Sequence, residues 1–242
     1  YSIVIPARYD SKRLPGKALE DINGKTMIER AYEAALGSQA AEIIIATDSE
    51  KIKDVCKGFG AKCLITSSEH KSGTDRVNEV AMIEKWSDEM IIVNLQGDNA
   101  LMPSRNIDQV AKLLFDNPSY SIATLATNFL SKDEEEDENA VKVFIDKETD
   151  EAITFKRHLK DYDNQSAKYM RHIGIYAYTR SSLRTFSNSE LSIKEEEERL
   201  EQLRAYDLKL RIIVGKASIT PGPDVDTYDD LLLVNSIYKN TE

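Results

Sequence analysis

The amino-acid sequence predicts an α/β fold, in which a doubly wound, mostly parallel sheet is accompanied by a smaller mixed β/α lid in the second half of the chain. Three observations predict it. Short apolar runs rich in β-branched residues recur along the first 117 residues, stretches with helical periodicity lie between them, and the two kinds of segment alternate. This βαβαβαβ order is typical of a parallel sheet with right-handed crossovers.

Four apolar runs predict strands that are buried on both faces. Each run is continuous rather than alternating with polar residues, as expected for strands covered by helices on either side of a parallel sheet. These strands are predicted at residues 2–6, 42–46, 61–65 and 90–95.

Four helices are predicted to connect these strands and to follow the last of them. In the first helix, Met27, Ile28, Ala31, Ala34 and Ala35 have the spacing of a single apolar face. The helices are predicted at residues 27–36, 50–59, 75–86 and 104–115.

The pattern changes after residue 117. Strands are predicted at residues 121–128, 141–146, 152–155, 172–178 and 210–214, with helices at 194–206 and 227–238. Neither an internal repeat nor a long linker rich in Pro, Gly or Ser separates the two halves. We therefore predict one domain over residues 1–242, with halves of approximately 1–117 and 118–242.

Composition excludes several classes of function. The net charge of −10 argues against a nucleic-acid-binding protein, because such proteins usually present a basic face. No apolar run approaches the roughly 20 residues that span a bilayer, and the first segment resembles a strand rather than a secretory signal. Cys56 and Cys63 are interpreted as buried thiols rather than a disulfide or a metal pair. We expect a cytoplasmic protein with neither a nucleic-acid nor a membrane partner.

Acidic residues are concentrated in two runs, at residues 133–138 and 195–198. We interpret the first as a solvated loop and the second as an exposed helix face. A magnesium site made of adjacent carboxylates on a mobile loop is the alternative.

Basic residues cluster after the first predicted strand. Residues 6–17 contain Arg8, Lys12, Arg13 and Lys17 together with the turn formers Pro and Gly. Ligands of open parallel sheets bind beyond the carboxyl ends of the strands, and backbone amides with Arg and Lys side chains bind phosphates. The loop has neither the dinucleotide fingerprint nor the Walker pattern. It predicts a triphosphate site, although a surface loop that is basic by chance would look similar.

An ordered series of motifs resembles the 3-deoxy-manno-octulosonate cytidylyltransferases, or CMP-Kdo synthetases. The matching segments are IPAR and LPGK (residues 5–8 and 14–17), GKTMI (24–28), ATD (46–48), SGTDR (72–76), NLQGD (94–98), HIGIYAY (172–178), LEQLR (200–204) and VDT (225–227). The resemblance covers nearly the whole chain. It implies a fold like that of nucleotide-diphospho-sugar transferases, and a homodimer built through the second, sugar-binding half.

The resemblance also implies the reaction, which is transfer of CMP from CTP to the anomeric hydroxyl of a 3-deoxy-octulosonate (Kdo), with release of pyrophosphate, for lipopolysaccharide precursors. The implied catalytic residues are Lys17, Asp98, Asp226 and Arg13. The implied nucleotide-binding residues are Pro6, Ala7, Arg8, Arg13, Lys17, Ser72, Gly73, Thr74 and Gln96. The implied sugar-binding residues are Arg157, His172, Tyr176, Glu201 and Gln202.

Two carboxylates are candidates to hold Mg²⁺, which prefers a few carboxylates completed by phosphates and water. Asp98 follows the fourth predicted strand, where a side chain enters the ligand crevice, although it also suits a turn or helix cap. Asp224 and Asp226 would face the same side of an extended segment, so their positions alone leave the choice open. The resemblance favours Asp226.

Some of these residues also suit plain structural roles. Gly73 suits a close approach of the backbone to the nucleotide, whereas Thr74 also suits a helix cap. His172 suits equally a sugar contact and a structural hydrogen bond. His70 and His158 are interpreted as surface residues.

The sequence departs from the family pattern near the expected sugar pocket. Asn99 and Ala100 stand where the family usually has Glu-Pro, and Lys156 precedes Arg157 where a Ser is usual. Ala18 and Thr26 replace common prolines. These changes keep an 8-amino-8-deoxy analogue of Kdo as an alternative substrate. The sequence is also compatible with a nucleotidyltransferase for a sugar phosphate and with a catalytically silent nucleotide-binding protein.

Overall fold

The predicted α/β fold with a mostly parallel sheet is confirmed by a computed structural model, which describes residues 1–11, 14–159 and 166–241. The strands are β1 (Ser2–Ala7), β2 (Asp21–Ile22), β3 (Lys25–Thr26), β4 (Glu42–Thr47), β5 (Lys62–Ile65), β6 (Ile91–Asn94), β7 (Ile122–Thr127), β8 (Lys142–Asp146), β9 (Ala152–Lys156), β10 (Ala167–Thr179) and β11 (Ile212–Lys216). The helices are α1 (Met27–Leu36), α2 (Glu50–Gly58), α3 (Gly73–Ile83), α4 (Ser104–Asp116), α5 (Lys132–Glu136), α6 (Arg180–Ser187), α7 (Ile193–Glu198), α8 (Arg204–Asp207) and α9 (Tyr228–Thr241). None of the helices in the described ranges has the length and apolar character needed to cross a bilayer.

The central sheet has the strand order β11-β7-β10-β6-β1-β4-β5. All of these strands run in the same direction except β10, which is antiparallel to both of its neighbours, β7 and β6. Every residue of β1 is buried. The continuous apolar runs therefore do mark strands that are covered on both faces.

Helices cover both faces of the sheet, as a doubly wound fold requires. Ile3 and Ile5 of β1 pack with α1, α2 and α4, while Val4 packs with α3 and α6 on the opposite face. This follows from the two-residue repeat of a strand. Helix α1 begins where predicted, after Thr26, whose hydroxyl accepts a hydrogen bond from the Glu29 N–H.

Strand β10 connects the sheet to an additional hairpin. Its first residues, Ala167–Arg171, pair with β8, and its later residues lie between β7 and β6. A register shift between Ile173 and Tyr176 separates the two parts. The β8–β9 hairpin thus extends from the same sheet that carries the first half of the chain.

A small apolar cluster fixes the last helix beside the residues that follow β6. It contains Ile22 of β2, Met27 at the start of α1, Ala100 after β6, and Val225 and Leu231 around the start of α9. The two distant segments are consequently held side by side at one edge of the sheet.

The prediction of one helix over residues 194–206 is wrong. Helix α7 ends at Glu198, because the next residue, Arg199, has a left-handed φ of 54°. A short 3-10 helix, Glu201–Leu203, then leads into α8. The guanidinium of Arg204 donates to the carboxylate of Glu195, with 2.7 Å between Nε and Oε2, and both side chains are buried. This interior ion pair requires a turn that helix propensity alone does not reveal.

The acidic runs behave differently from one another. Most side chains at residues 133–138 are exposed, as predicted, although residues 132–136 form the short helix α5 rather than a loop. In the second run Glu195 is buried, so its interpretation as part of an exposed face is wrong. Cys56 is a buried free thiol and Cys63 a partly buried one.

Candidate active site

A cleft of about 320 Å³ opens at the carboxyl ends of β1 and β6. Its walls are the basic loop after β1, the turn after β6 and the start of α3. The predicted site residues that line it are Pro6, Ala7, Arg8, Lys17, Ser72, Gly73, Gln96, Asp98, Glu201 and Asp226. Both metal candidates and the described nucleotide candidates other than Thr74 are therefore brought together.

Lys17 lies between the two predicted catalytic carboxylates. Its Nζ is 2.7 Å from Asp98 Oδ2 and 3.2 Å from Asp226 Oδ1, and 18% of its side chain is exposed. Burial acts to lower the pKa of Lys17, but the charges and hydrogen bonds of the two carboxylates outweigh it and raise the pKa. Lys17 is therefore a fixed cation in the cleft.

The chain reaches this position through a turn at Gly16. Gly16 has a left-handed φ of 72° and precedes the 3-10 helix Lys17–Leu19. Its N–H donates to the carbonyl of Tyr9 at 3.3 Å, which closes the basic loop onto its own beginning. Glycine adopts this backbone conformation without the steric cost that a Cβ would add.

A backbone hydrogen bond holds the two carboxylates near one another. The Val225 N–H donates to the carbonyl of Asp98 at 3.2 Å, so the segment before α9 lies against the turn after β6. Asp226 then meets Lys17, whereas the carboxylate of Asp224 accepts a hydrogen bond from the Asn99 side chain. The geometry thus separates two aspartates that the sequence left equivalent.

The donor set suits a cation that is bound together with a nucleotide. Within the described ranges, no three His, Cys, Asp or Glu side chains are grouped to hold a metal ion by themselves. Asp98 and Asp226 nevertheless converge on a single ammonium group. Mg²⁺ at nucleotide sites commonly takes one or two carboxylates and completes its shell with phosphates and water, so these two residues fit that ion.

The start of α3 forms the opposite wall. Ser72 caps the helix: its hydroxyl accepts from the Asp75 N–H and the Asp75 carboxylate accepts from the Ser72 N–H, each at 3.2 Å. The interpretation of Thr74 as the cap is therefore wrong. Thr74 is buried and donates to Glu201 Oε2 at 3.2 Å. A Cβ at Gly73 would lie 3.2 Å from both Gln96 Oε1 and Pro6 Cγ, so the wall is tightly packed there.

Among the predicted sugar residues, Glu201 is the one that lines the cleft. Its Oε1 is buried and accepts no hydrogen bond of standard geometry from the described residues, and burial raises the pKa of its carboxyl group against the lowering effect of the nearby Ser72 and Thr74 hydroxyls. Gln202, the next residue, is buried. An unsatisfied buried oxygen at the cleft wall is a ready acceptor for a ligand hydroxyl.

His172 and Tyr176 contact one another on β10 but do not line this cleft. Their ring centroids are 5.3 Å apart, and the His172 ring meets Phe155 edge-on at 5.0 Å. His172 Nε2 is 2.9 Å from the Thr124 hydroxyl. Burial, with a smaller effect of the Arg171 charge, lowers the pKa of His172 to about 3. The imidazole is therefore neutral and hydrogen-bonded to the protein.

Arg157 is also placed away from the cleft. Its guanidinium donates to the carbonyls of Glu198 at 2.8 Å, Glu138 at 3.0 Å and Arg199 at 3.1 Å. Arg13 and residues 160–165 lie outside the described residues, so the predicted contribution of Arg13 stays a prediction.

Sequence reasoning missed several cleft residues. His70, interpreted as a surface residue, lines the cleft and is paired with Glu79, so that interpretation is wrong. Lys71 and Arg76 line it as well. The signal available was adjacency, because all three flank or belong to the SGTDR motif.

Neither Asn99 nor Ala100 presents an exposed side chain, and their predicted proximity to the sugar stays a prediction. Asn99 is 3% exposed and Ala100 is 2% exposed. Ala100 packs in the apolar cluster with Met27 and Val225. Lys156 pairs with Glu198 at 2.6 Å.

Comparison with known proteins identifies the family. The family model of the cytidylyltransferases matches residues 2–212. The chain belongs to the cytidylyltransferase family. The cytidylyltransferases it resembles include two named 3-deoxy-manno-octulosonate cytidylyltransferase. One is from Francisella tularensis (strain SCHU S4), 40% identical over 98% of both chains, and one is from Acinetobacter baumannii (strain SDF), 40% identical over 97% of this chain and 96% of its own.

Solved cytidylyltransferase structures share the fold. A CMP:2-keto-3-deoxy-manno-octonic acid synthetase complexed with CTP is 37% identical, with a TM-score of 0.90 over 99% of this chain and 98% of its own. A cytidylyltransferase from Leptospira borgpetersenii, at 18% identity, has a TM-score of 0.61 over 99% and 94% of the two chains and shows a likeness of fold alone. The resemblance that the motifs predict is confirmed, and with it the assignment as a nucleotidyltransferase.

Proposed function

We propose that this cytidylyltransferase transfers CMP from CTP to the anomeric hydroxyl of 3-deoxy-manno-octulosonate, releasing pyrophosphate, for lipopolysaccharide precursor synthesis. The observation that carries the proposal is the pair Asp98 and Asp226 on either side of Lys17, in a cleft at the carboxyl ends of β1 and β6. Support comes from the relatives of that name and from the CTP complex of a synthetase with the same fold.

The cleft suits a nucleoside triphosphate. Arg8 and Lys17 supply positive charge on one wall, and the capped start of α3 presents Ser72 and Gly73 on the other. Charge-assisted hydrogen bonds from Arg and Lys to phosphate are the strong ones. We assign Lys17, together with Arg13, to neutralise the charge that develops on the leaving pyrophosphate.

Mg²⁺ is proposed as the cofactor, held by Asp98 and Asp226. When bound, it would neutralise phosphate charge and increase the acidity of the attacking hydroxyl. Each carboxylate contacts Lys17 through one oxygen, so the ammonium would either share the two carboxylates with the ion or move toward the phosphates.

The reaction requires an in-line displacement. The anomeric oxygen forms a bond to the α-phosphorus as the bond between that phosphorus and the β-phosphate oxygen breaks, and the hydroxyl proton is released. Such transfers depend mainly on positioning and charge stabilisation. The protein contributes by fixing the triphosphate between Lys17 and α3.

The sugar is proposed to enter beside Glu201, whose buried Oε1 would accept a hydrogen bond from a sugar hydroxyl. Arg157, His172, Tyr176 and Gln202 are proposed to complete its site. Three of the five guanidinium N–H groups of Arg157 donate to backbone carbonyls, which leaves one N–H on each Nη for a sugar carboxylate. The names of the relatives favour Kdo over the 8-amino analogue and over a sugar phosphate.

We further propose a cytoplasmic homodimer joined through the second half, residues 118–242, with residues 1–117 as the nucleotide-binding half. Support comes from large apolar side chains that the second half leaves exposed, such as Leu130 and Ile193 at 75% each. The two free thiols are in keeping with a reducing compartment.

Pyrophosphate release tests the reaction. Wild-type protein is incubated with CTP, Mg²⁺ and a panel of acidic sugars and sugar 1-phosphates. We expect release with Kdo, and a loss of roughly 10²-fold or more in Asp98→Asn, by analogy with removal of one transition-state stabiliser. Asp54→Asn, on the exposed face of α2, is the matched control and should retain full rate.

Two outcomes would count against the proposal. Near-normal turnover by Asp98→Asn at saturating Mg²⁺ would remove Asp98 from the reaction. Release with a sugar 1-phosphate but with neither Kdo nor its 8-amino analogue would replace the acceptor.

A further inference from the structure

We infer that Arg76 and Asp48 form a positioning pair that fixes the two walls of the CTP cleft, the basic loop and the start of α3, relative to one another. The inference rests on the proposed function, since it assigns the pair to the nucleotide half of that site. Both residues belong to motifs that carry the family resemblance, SGTDR for Arg76 and ATD for Asp48.

Arg76 joins helix α3 to the ends of two neighbouring strands. It lies four residues after the Ser72 cap, and its Nη2 donates to Asp48 Oδ2 at 2.8 Å. Its Nη1 donates to the hydroxyl of Thr66, which in turn donates to the carbonyl of Thr47 at 3.1 Å. The Arg76 and Asp48 side chains are 4% and 16% exposed. Helix α3 is thereby fixed to the carboxyl ends of β4 and β5.

Asp48 extends the connection to the basic loop. Its second oxygen, Oδ1, accepts a hydrogen bond from the Tyr9 N–H at 3.1 Å. Tyr9 follows Arg8 directly, and its carbonyl accepts from Gly16, the residue before Lys17. A displacement of Tyr9 would therefore move both cations, Arg8 and Lys17, relative to the start of α3.

The chemistry of the pair requires arginine and a carboxylate. A planar guanidinium reaches two acceptors, Asp48 and Thr66, at once, whereas the single ammonium of lysine cannot reproduce that fork. A carboxylate accepts from Arg76 and Tyr9 at the same time, whereas an asparagine at position 48 presents one acceptor and one donor. Arg76→Lys and Asp48→Asn therefore keep the approximate size and polarity of each side chain. The first disrupts the hydrogen bonds from α3, and the second disrupts those accepted by Asp48.

The proposal predicts that substitutions in the pair weaken the binding of CTP and leave the binding of the sugar nearly unchanged. Arg76→Lys and Asp48→Asn should each raise the KM for CTP, or its dissociation constant measured by calorimetry without sugar, by about tenfold, the cost of a charged hydrogen bond. The KM for the sugar should stay within about twofold. Because both substitutions break one connection, the double variant should lose little more than either single variant.

An exposed ion pair supplies the matched control. Arg184 donates to both carboxylate oxygens of Asp88, at 2.8 and 3.0 Å, outside the cleft. Arg184→Lys and Asp88→Asn should leave CTP affinity unchanged. If Arg76→Lys fails to fold, Thr66→Val removes one acceptor of the fork, together with the hydroxyl bond to Thr47, but keeps the Arg76–Asp48 pair, and should show a smaller rise in the same constant.

The outcomes separate this inference from the proposed function. If wild-type protein neither binds CTP nor releases pyrophosphate, the proposed function fails. If the wild type does both, but the variants keep their CTP affinity or lose affinity for both substrates equally, the positioning role is refuted and the pair only stabilises the fold.

Discussion

The partly buried histidine of β10 makes the free energy of unfolding depend on pH. His172 is hydrogen-bonded to Thr124 and packed between Phe155 and Tyr176, and its pKa is lowered from 6.5 to about 3. Below pH 6.5 the unfolded chain binds a proton at this residue that the folded chain does not bind. The stability that the neutral ring contributes is therefore complete above pH 6.5 and is lost as the pH falls toward 3.

The size of the effect follows from the separation of the two pKa values. Between the two pKa values, each pH unit lowers the free energy of unfolding by about 1.4 kcal/mol, because the unfolded chain binds one more proton. At pH 5.0, which is 1.5 pH units below 6.5, the loss is therefore about 2 kcal/mol. His172→Gln retains a polar side chain but has no proton to bind. Between pH 7.5 and pH 5.0 we expect the free energy of unfolding of the wild type to fall by about 2 kcal/mol more than that of this variant.

Urea unfolding of both proteins at the two pH values measures this difference. The two proteins contain the same carboxylates, so the contribution of the carboxylates to the pH dependence cancels. Equal losses in the two proteins would refute the reasoning. They would mean that His172 takes up a proton in the folded protein near its ordinary pKa, and the ring would then be a candidate cation for an acidic sugar.

Two further substitutions test the packing around the site. A Cβ at Gly97 would lie 3.0 Å from the Pro6 carbonyl oxygen, so Gly97→Ala should displace the cleft wall and reduce kcat/KM about tenfold or more. The control is Gly58→Ala in α2, whose Cβ would meet no atom within 4 Å and which should leave kcat/KM unchanged. Arg204→Met leaves the buried Glu195 carboxylate unpaired and should cost about 3–5 kcal/mol in urea unfolding. Adding Glu195→Leu should restore much of that stability; failure to do so would show that the pair contributes more than mutual neutralisation.

Much of the fold could be predicted because periodicity and capping are local. Helix α1 spans residues 27–36 as predicted, since its apolar face, the Thr26 cap and Gly37 at its end all agree. The Glu-rich segment after Ser192 could not be predicted in the same way. Its turn at Arg199 is determined by the pairing of Glu195 with Arg204, a contact that local propensity does not encode.

The candidate site shows the same division. The basic loop and Asp98 could be placed from strand order, because the carboxyl ends of neighbouring parallel strands share one edge. The choice of Asp226 over Asp224 at Lys17 depends on the Val225 backbone bond to Asp98, which joins segments more than 100 residues apart.

The position of β10 between β7 and β6 has a consequence during synthesis of the chain. Asn94 of β6 pairs with Tyr176, so one edge of β6 has no partner until about 80 further residues have been made. At typical rates of about 5–20 residues per second this takes roughly 4–16 s. During that interval the nascent first half presents an open apolar strand edge, which is the kind of surface that pairs with other chains. Expression yield should consequently depend more on the speed of translation through residues 95–176 than on the final stability of the fold.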